Sequence, residues 1–342
     1  MAKLISSWAG GHNQDLPEHY ILPPHERPGD LINVLPCDSI PVIDLGKVLS
    51  DGGDRTNIIQ QILNASREFG FFQVINHGVS ESLMDDAMRL FNEFFELPGE
   101  DKEYIYSEDS RKSCRVFTGS DYQIGPTQFW RDTLRHPCFP LEDSIQSWPI
   151  KPDRYRDIVS KYSVEVRKLS LKILELISIG LGMDEGYFGE EFIQIQNISV
   201  NHYPPCPNPR LTLGIRNHCD PNLITILQQG DVQGLQVFKD GNWIGVRPVP
   251  YSFVVNMGNL LQVISNGKLR SVEHRAVTNS ECARTSIATF LMPSFDYCVE
   301  PAKSLVSESY PPIFKPFKYM EFIREYLSNT DNPQAVLDHF KL

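Results

Sequence analysis

An α+β fold built on a double-stranded β-helix, or jelly roll, with helices flanking it on the N- and C-terminal sides, is the class that this sequence predicts. Three observations predict it. After Ile193 eight short apolar runs follow one another at close spacing, separated by Gly, Pro and Asn, as in a double-sheet barrel. Ahead of them the apolar residues recur at helical spacing in three long stretches. Beyond Pro311 the tail turns helical again, around Tyr319 to Leu327.

Taken in order, residues 1–38 carry Pro and His without periodicity and form an N-terminal arm. Residues 39–192 form a helical and strand region that packs on the core. It opens with a short apolar strand, Ile40-Pro-Val-Ile-Asp-Leu45, followed by a helix over Asn57–Phe69 that Gly70 closes. Phe71–Gly78 is a buried strand ending in a glycine turn, and Ser80–Glu96 a helix stopped by Leu97-Pro98-Gly99. Trp130–Asp132 lies in a strand-like aromatic run, and Tyr155–Leu181 is a long amphipathic helix fit to back a sheet. The eight runs of the core, residues 193–296, are Gln196–Val200, Thr212–Ile215, Leu223–Leu227, Leu235–Phe238, Trp243–Val246, Phe253–Met257, Val272–Val277 and Thr285–Leu291. Residues 297–342 form the C-terminal tail, placed to fold back as a lid.

Composition bounds the partners. With 342 residues, 41% of them hydrophobic, the chain can bury a large core. A formal net charge of −11 argues against wrapping a nucleic-acid backbone, which needs a basic surface. Seven cysteines without a Cys-x-x-Cys pair suit free thiols in a reducing compartment. No stretch is long and apolar enough for a signal peptide or a membrane span. These features predict a cytoplasmic monomer that takes a small-molecule substrate.

Chemistry concentrates between Asn217 and Ser286. His218 and Asp220 are two apart, so in an extended segment both side chains leave the backbone on one side. With the distant His274 they can fill one face of an iron ion, leaving the opposite positions open to a co-substrate and dioxygen. Ten residues after His274, across a polar stretch taken as a hairpin turn, comes Arg284, at the start of a strand expected beside the metal ligand. Alternation puts Arg284, Ser286, Ala288 and Phe290 on one face, where a guanidinium fork and a hydroxyl can clamp a carboxylate. A His-x-Asp triplet alone is common. The order and spacing of all five residues, each on a strand-like run, carry the inference. By contrast His77, beside Gly78 with no acidic neighbour at metal spacing, is a structural histidine.

The motifs together resemble the plant soluble Fe(II)/2-oxoglutarate-dependent dioxygenases of specialised metabolism. The resemblance rests on Ile40–Leu45, Gly70–Gly78, Phe94–Pro98, Asn201-His-Tyr-Pro-Pro-Cys-Pro207, His218-Cys-Asp220, Gly234-Leu-Gln236, His274-Arg275 and Arg284-Thr-Ser286. Trp130-Arg-Asp-Thr, Ser147-Trp-Pro and Asn222–Gln229 are most similar to hyoscyamine 6-hydroxylase and its relatives. The resemblance implies that His218, Asp220 and His274 bind Fe(II). Arg284 and Ser286 would hold the far carboxylate of 2-oxoglutarate, with Asn201 and Tyr203 beside them. It implies O2 as oxidant, ascorbate as reductant, and release of succinate and CO2 as a small metabolite, an alkaloid among the candidates, is hydroxylated, desaturated or cyclised. Two residues depart from the family pattern, His202 where Tyr is usual and Cys219 where Thr is usual, and neither removes a ligand.

For the substrate, Arg216 would share the face of His218 and favour a molecule carrying a carboxylate or other acceptor. Phe129, Leu291, Phe295, Tyr297, Tyr319 and Phe322 are expected as apolar walls by position. The alternatives are a same-fold oxidase of hormone or flavonoid metabolism and a non-catalytic small-molecule binding protein.

Overall fold

A strand with one face buried can pair in only one register, so the alternating runs decide the architecture. The computed structural model describes residues 4–9, 15–30, 34, 36–37, 40–49, 54–119, 127–329 and 333–342, and parts of the N-terminal arm lie outside them. The strands are β1 (Pro36–Cys37), β2 (Val42–Asp44), β3 (Phe71–Ile75), β4 (Arg115–Thr118), β5 (Asp132–Phe139), β6 (Ile195–Tyr203), β7 (Ile215–His218), β8 (Ile224–Gln228), β9 (Leu235–Lys239), β10 (Asn242–Val246), β11 (Phe253–Met257), β12 (His274–Ala276), β13 (Arg284–Met292), β14 (Cys298–Val299) and β15 (Phe317–Lys318). Two sheets face each other as a jelly roll. One runs β2-β3-β11-β8-β13-β6-β5-β4 and the other β1-β10-β9-β12-β7, while β14 and β15 pair separately. Strands from the N-terminal half thus extend the larger core sheet.

The helices are α1 (Gly46–Leu49), α2 (Arg55–Glu68), α3 (Glu81–Glu96), α4 (Gly99–Lys102), α5 (Leu141–Ser144), α6 (Tyr155–Gly180), α7 (Asn259–Ile264), α8 (Tyr319–Ser328) and α9 (Pro333–Asp338). Helix α6 buries Ile158, Tyr162, Val166, Ile173 and Ile177 in one core with residues of α2, α3, β8 and β11. Those helices back the large sheet on the face turned away from the second sheet. Along β13 the residues divide by parity. Ile287 and Leu291 join this helix-backed core, and the other set faces the space between the sheets.

Two expectations are corrected here. The strand sought at Thr212–Ile215 begins only at Ile215, because Pro209–Leu211 form a 3-10 turn and Gly214 is pressed against the Tyr203 ring. The segment after Val277 is not a hairpin. It crosses from the small sheet to the large one, so β13 lies between β8 and β6 and not beside β12. The described part of the arm is anchored by a buried carboxylate. Asp132 accepts hydrogen bonds from the backbone N–H of Ile5 (2.9 Å) and Ser6 (2.7 Å), and Ile5 and Tyr20 pack with Trp130.

Candidate active site

Cross-strand register brings the histidines together. His274 on β12 is the direct partner of His218 on β7, and their ring centroids lie 4.2 Å apart. Asp220 follows just past the end of β7, so the first two ligand candidates are not both on a strand, as the spacing suggested. Its Oδ1 lies 3.5 Å from His218 Nε2 and 3.7 Å from His274 Nε2. One ligand atom from each of the three residues falls within 4.8 Å of the others.

Neighbouring groups fix which atoms face inward. Each histidine turns Nδ1 toward a backbone carbonyl, His218 to Arg216 (2.9 Å) and His274 to Val272 (3.2 Å). A proton on Nδ1 leaves the Nε2 lone pair free for a metal. On Asp220, Oδ2 accepts from Thr225 Oγ1 at 2.6 Å and Asn256 Nδ2 at 2.8 Å, which leaves Oδ1 to the site. Burial opposes the charge on Asp220, but the two imidazoles and the Thr225 hydroxyl outweigh it and hold the carboxyl below its usual range. Burial, aided by His218, pushes His274 down to about 4, so it is neutral near pH 7. Two imidazoles and a carboxylate suit a divalent ion such as Fe(II), whose adjacent ligand atoms sit about 3 Å apart.

The carboxylate clamp lies across β13 and β6. Arg284 is paired in register with Tyr203, and Ser286 with Asn201. Arg284 is buried, with Nε donating to Val232 O at 3.0 Å and Nη1 3.5 Å from Ser286 Oγ. Among the described residues no carboxylate pairs with it. Burial alone lowers its affinity for the proton, so a bound anion would offset the cost of burying this cation. Gly234 makes room for it, since a Cβ there would lie 2.8 Å from Arg284 Cδ. Asn201 is held in turn by Arg131 Nη1 and Thr133 Oγ1, both 3.1 Å from its Oδ1.

A cavity of about 370 Å³ opens on this centre, with His218, Asp220 and Asn201 in its wall. Of the expected substrate residues, Arg216, Phe295 and Tyr319 line it, the last two stacked at 5.7 Å. The others do not. Phe129 packs with Leu22, Leu213 and Val277, and Leu291 points into the helix-backed core because its parity on β13 is opposite to that of Phe290. Phe322 stacks on Phe317, and Tyr297 lies against Phe192. His202 turns away from the cavity to stack on Phe95 and bond Thr285 Oγ1 at 2.9 Å, and His77 bonds Tyr251 O at 3.0 Å. Helix α8 supplies Tyr319, Ile323, Tyr326 and Leu327 as one wall, tied down by Tyr326 Oη donating to Cys219 O at 3.0 Å.

Sequence reasoning missed Thr225, Asn256, Arg131, Thr133, Arg115 and Arg135. Asn256 left a signal, as the single polar residue in the run Phe253–Met257. Arg115 and Arg135 left none without knowledge of which strands pair, yet both line the cavity with Arg131 and Arg216.

A two-sheet jelly roll that gathers two imidazoles and a carboxylate at the mouth of a cavity, beside a buried guanidinium, defines the class of non-haem metal-dependent oxygenases. The comparisons with known proteins agree. Residues 194–293 match the 2OG-Fe(II) oxygenase superfamily, and residues 40–155 match the N-terminal region of the non-haem dioxygenase in morphine synthesis. The chain is 41% identical to hyoscyamine 6-dioxygenase of Hyoscyamus niger, covering 100% of this chain and 99% of that one. It is 43% identical to 2'-deoxymugineic-acid 2'-dioxygenase of Hordeum vulgare, covering 91% and 90%. A solved structure of JOX2 in complex with 2OG, Fe and JA superposes with a TM-score of 0.87 at 34% identity, covering 99% and 97%. The chain belongs to the 2OG-Fe(II) oxygenase superfamily and is a 2-oxoglutarate-dependent dioxygenase, an enzyme class that uses Fe(II), 2-oxoglutarate and O2.

Proposed function

We propose that this dioxygenase hydroxylates a small plant specialised metabolite, or desaturates or cyclises it, releasing succinate and CO2. The observation that carries the reading is the meeting of His218, Asp220 and His274, the first two in the wall of a cavity shared by Asn201, whose strand pairs with the one carrying the buried Arg284 and Ser286. His218, Asp220 and His274 would hold Fe(II). Arg284 and Ser286 would hold the distal carboxylate of 2-oxoglutarate, with Asn201 and Tyr203 alongside. When bound, the iron would let O2 act as the oxidant, one oxygen atom going to the keto acid as it loses CO2 to become succinate and the other oxidising equivalent going to a substrate C–H bond. The protein contributes position and an apolar surface. Thr225 and Asn256 fix the Asp220 carboxylate, the backbone carbonyls fix the imidazoles, and the buried Tyr319, stacked on Phe295, gives the cavity an apolar wall.

Ascorbate serves as reductant, and the chain works as a cytoplasmic monomer. An alkaloid is one candidate substrate class, as the name of the Hyoscyamus niger relative suggests. The second reading is an oxidase of hormone or flavonoid metabolism. The test is a mass-spectrometric screen of plant extracts incubated with the purified chain, Fe(II), 2-oxoglutarate and ascorbate. A product that gains one oxygen or loses two hydrogens, matched one to one by succinate, supports the reading. Product without succinate would show an oxidase that needs no keto acid.

A further inference from the structure

The strand ladder that places the two histidines ends before Asp220, so other contacts must fix the backbone of the third ligand candidate. Just past β7 the chain turns through Cys219, Asp220 and Pro221. A peptide unit is a rigid plane, so a residue is fixed when the planes on both sides of its Cα are held. The plane after Asp220 is held from α7, where Asn259 N–H donates to Asp220 O at 2.8 Å. The plane before it carries Cys219 O, which accepts from Tyr326 Oη of α8 at 3.0 Å. Thr225 and Asn256 then orient the carboxylate itself.

Two of these contacts come from the jelly roll, one from the short helix after β11, and one from the tail. Tyr319, Ile323 and Tyr326 recur at i, i+4 and i+7 of α8, so they share one helix face, and all three line the cavity. The first turn of α8 is tied to the segment that leaves β13, with Tyr319 N–H donating to Tyr297 O at 2.9 Å and Met320 N–H to Phe295 O at 2.8 Å. Its last turn is tied to the turn that presents Asp220. Tyr326 is buried, so without its hydroxyl the Cys219 carbonyl would lose a partner in a place that water reaches poorly.

We infer that Tyr326 is a positioning residue for the metal centre, its hydroxyl coupling tail helix α8 to the turn that carries Asp220, so that order in the tail and metal binding reinforce each other. This rests on the reading of His218, Asp220 and His274 as metal ligands. Such coupling is reciprocal: if the helix steadies the turn for the metal, the bound metal steadies the helix.

Hydrogen exchange and Co(II) titration on the full chain test it. In the wild type, Co(II) should slow amide exchange across residues 319–328 by about fivefold or more. Tyr326→Phe keeps the ring and removes the hydroxyl, and in it that metal-linked protection should vanish. The same variant should bind Co(II) about fivefold or more weakly, with a shifted visible absorption band of the bound ion. Phe340→Leu loosens the tail's packing on Phe317, 4.3 Å away, and leaves the Tyr326 bond in place. It should speed exchange in α8 with and without metal alike, and its Co(II) affinity should match the wild type. Exchange in wild-type α8 that ignores Co(II) would overturn the proposal, and that result needs no variant. So would Tyr326→Phe with wild-type affinity and spectrum, or Phe340→Leu that weakens Co(II) binding as much as Tyr326→Phe does. A wild-type chain that takes up no Co(II), or Asp220→Ala that takes it up as well as the wild type, would instead overturn the metal reading beneath it.

Discussion

Gly234→Ala perturbs the proposed keto-acid seat without touching a metal-ligand candidate. A methyl group there would sit 2.8 Å from Arg284 Cδ, 3.0 Å from Arg284 Nε and 3.0 Å from Val277 O. Ordinary carbon contacts begin near 3.5 Å, so the Arg284 side chain must retreat by about 0.7 Å or more. It cannot do so and keep the 3.0 Å bond from Nε to Val232 O, and burial leaves it little room to turn. A hydrogen bond to a charged group contributes about 1.5–3 kcal/mol, and losing one weakens binding by about 10- to 100-fold. The KM for 2-oxoglutarate should therefore rise by about that factor, measured as succinate released in uncoupled turnover at saturating Fe(II). Affinity for the metal should change by less than about threefold, because the ligand candidates lie on β7, on β12 and just past β7. Folded protein with an unchanged KM, or metal affinity falling as far as KM rises, would refute the reasoning.

Two further outcomes follow from the groups around the site. Asn256→Leu removes the 2.8 Å donor to Asp220 Oδ2 and should weaken Fe(II) binding by about 10- to 100-fold, as loss of a partner behind a ligand usually does. Direct metal titration checks it, and unchanged affinity would show that Thr225 alone fixes the carboxylate. Buried His136, paired with Tyr155 Oη at 2.7 Å, is pushed by burial down to about 4. The unfolded chain, with an ordinary pKa near 6.5, then binds more protons, so stability is full above about pH 6.5 and falls as pH drops toward 4. The difference is worth up to about 3 kcal/mol, and denaturant midpoints from pH 7 to 4.5 should flatten in His136→Gln relative to wild type. An unaltered slope in that variant would sink the assignment.

How far the sequence carried depended on whether a feature was local. The strands around Asn256 and Ser286 were legible because each is a short apolar run bounded by Gly, Pro or Asn, and their limits shift by only a residue or so in the structure, whereas the run expected at Thr212–Ile215 meets the strand that carries His218 only at Ile215. Among the five candidate residues of the centre, parity within one strand constrains Arg284 and Ser286, whatever that strand pairs with, whereas Asp220 lies just past the end of β7 and His274 is on a strand of its own. The same parity excludes Leu291 from the cavity once Phe290 is placed there. Pairing between strands was not legible. The crossing of the segment after Val277 to the other sheet, and the opposition of Arg115 to Arg135, depend on contacts between residues far apart in the chain. Phe129 and Phe322 illustrate the same limit, since a large apolar residue satisfies a core as readily as a cavity wall.

The central claim is that His218, Asp220 and His274 hold a single iron. Anaerobic calorimetric titration of Fe(II) into the metal-free chain, repeated on Asp220→Ala and His274→Ala, tests it most directly. One equivalent should bind per chain in the wild type, more tightly with 2-oxoglutarate present, and neither variant should show that site. A variant that still takes up one equivalent with wild-type affinity would contradict it.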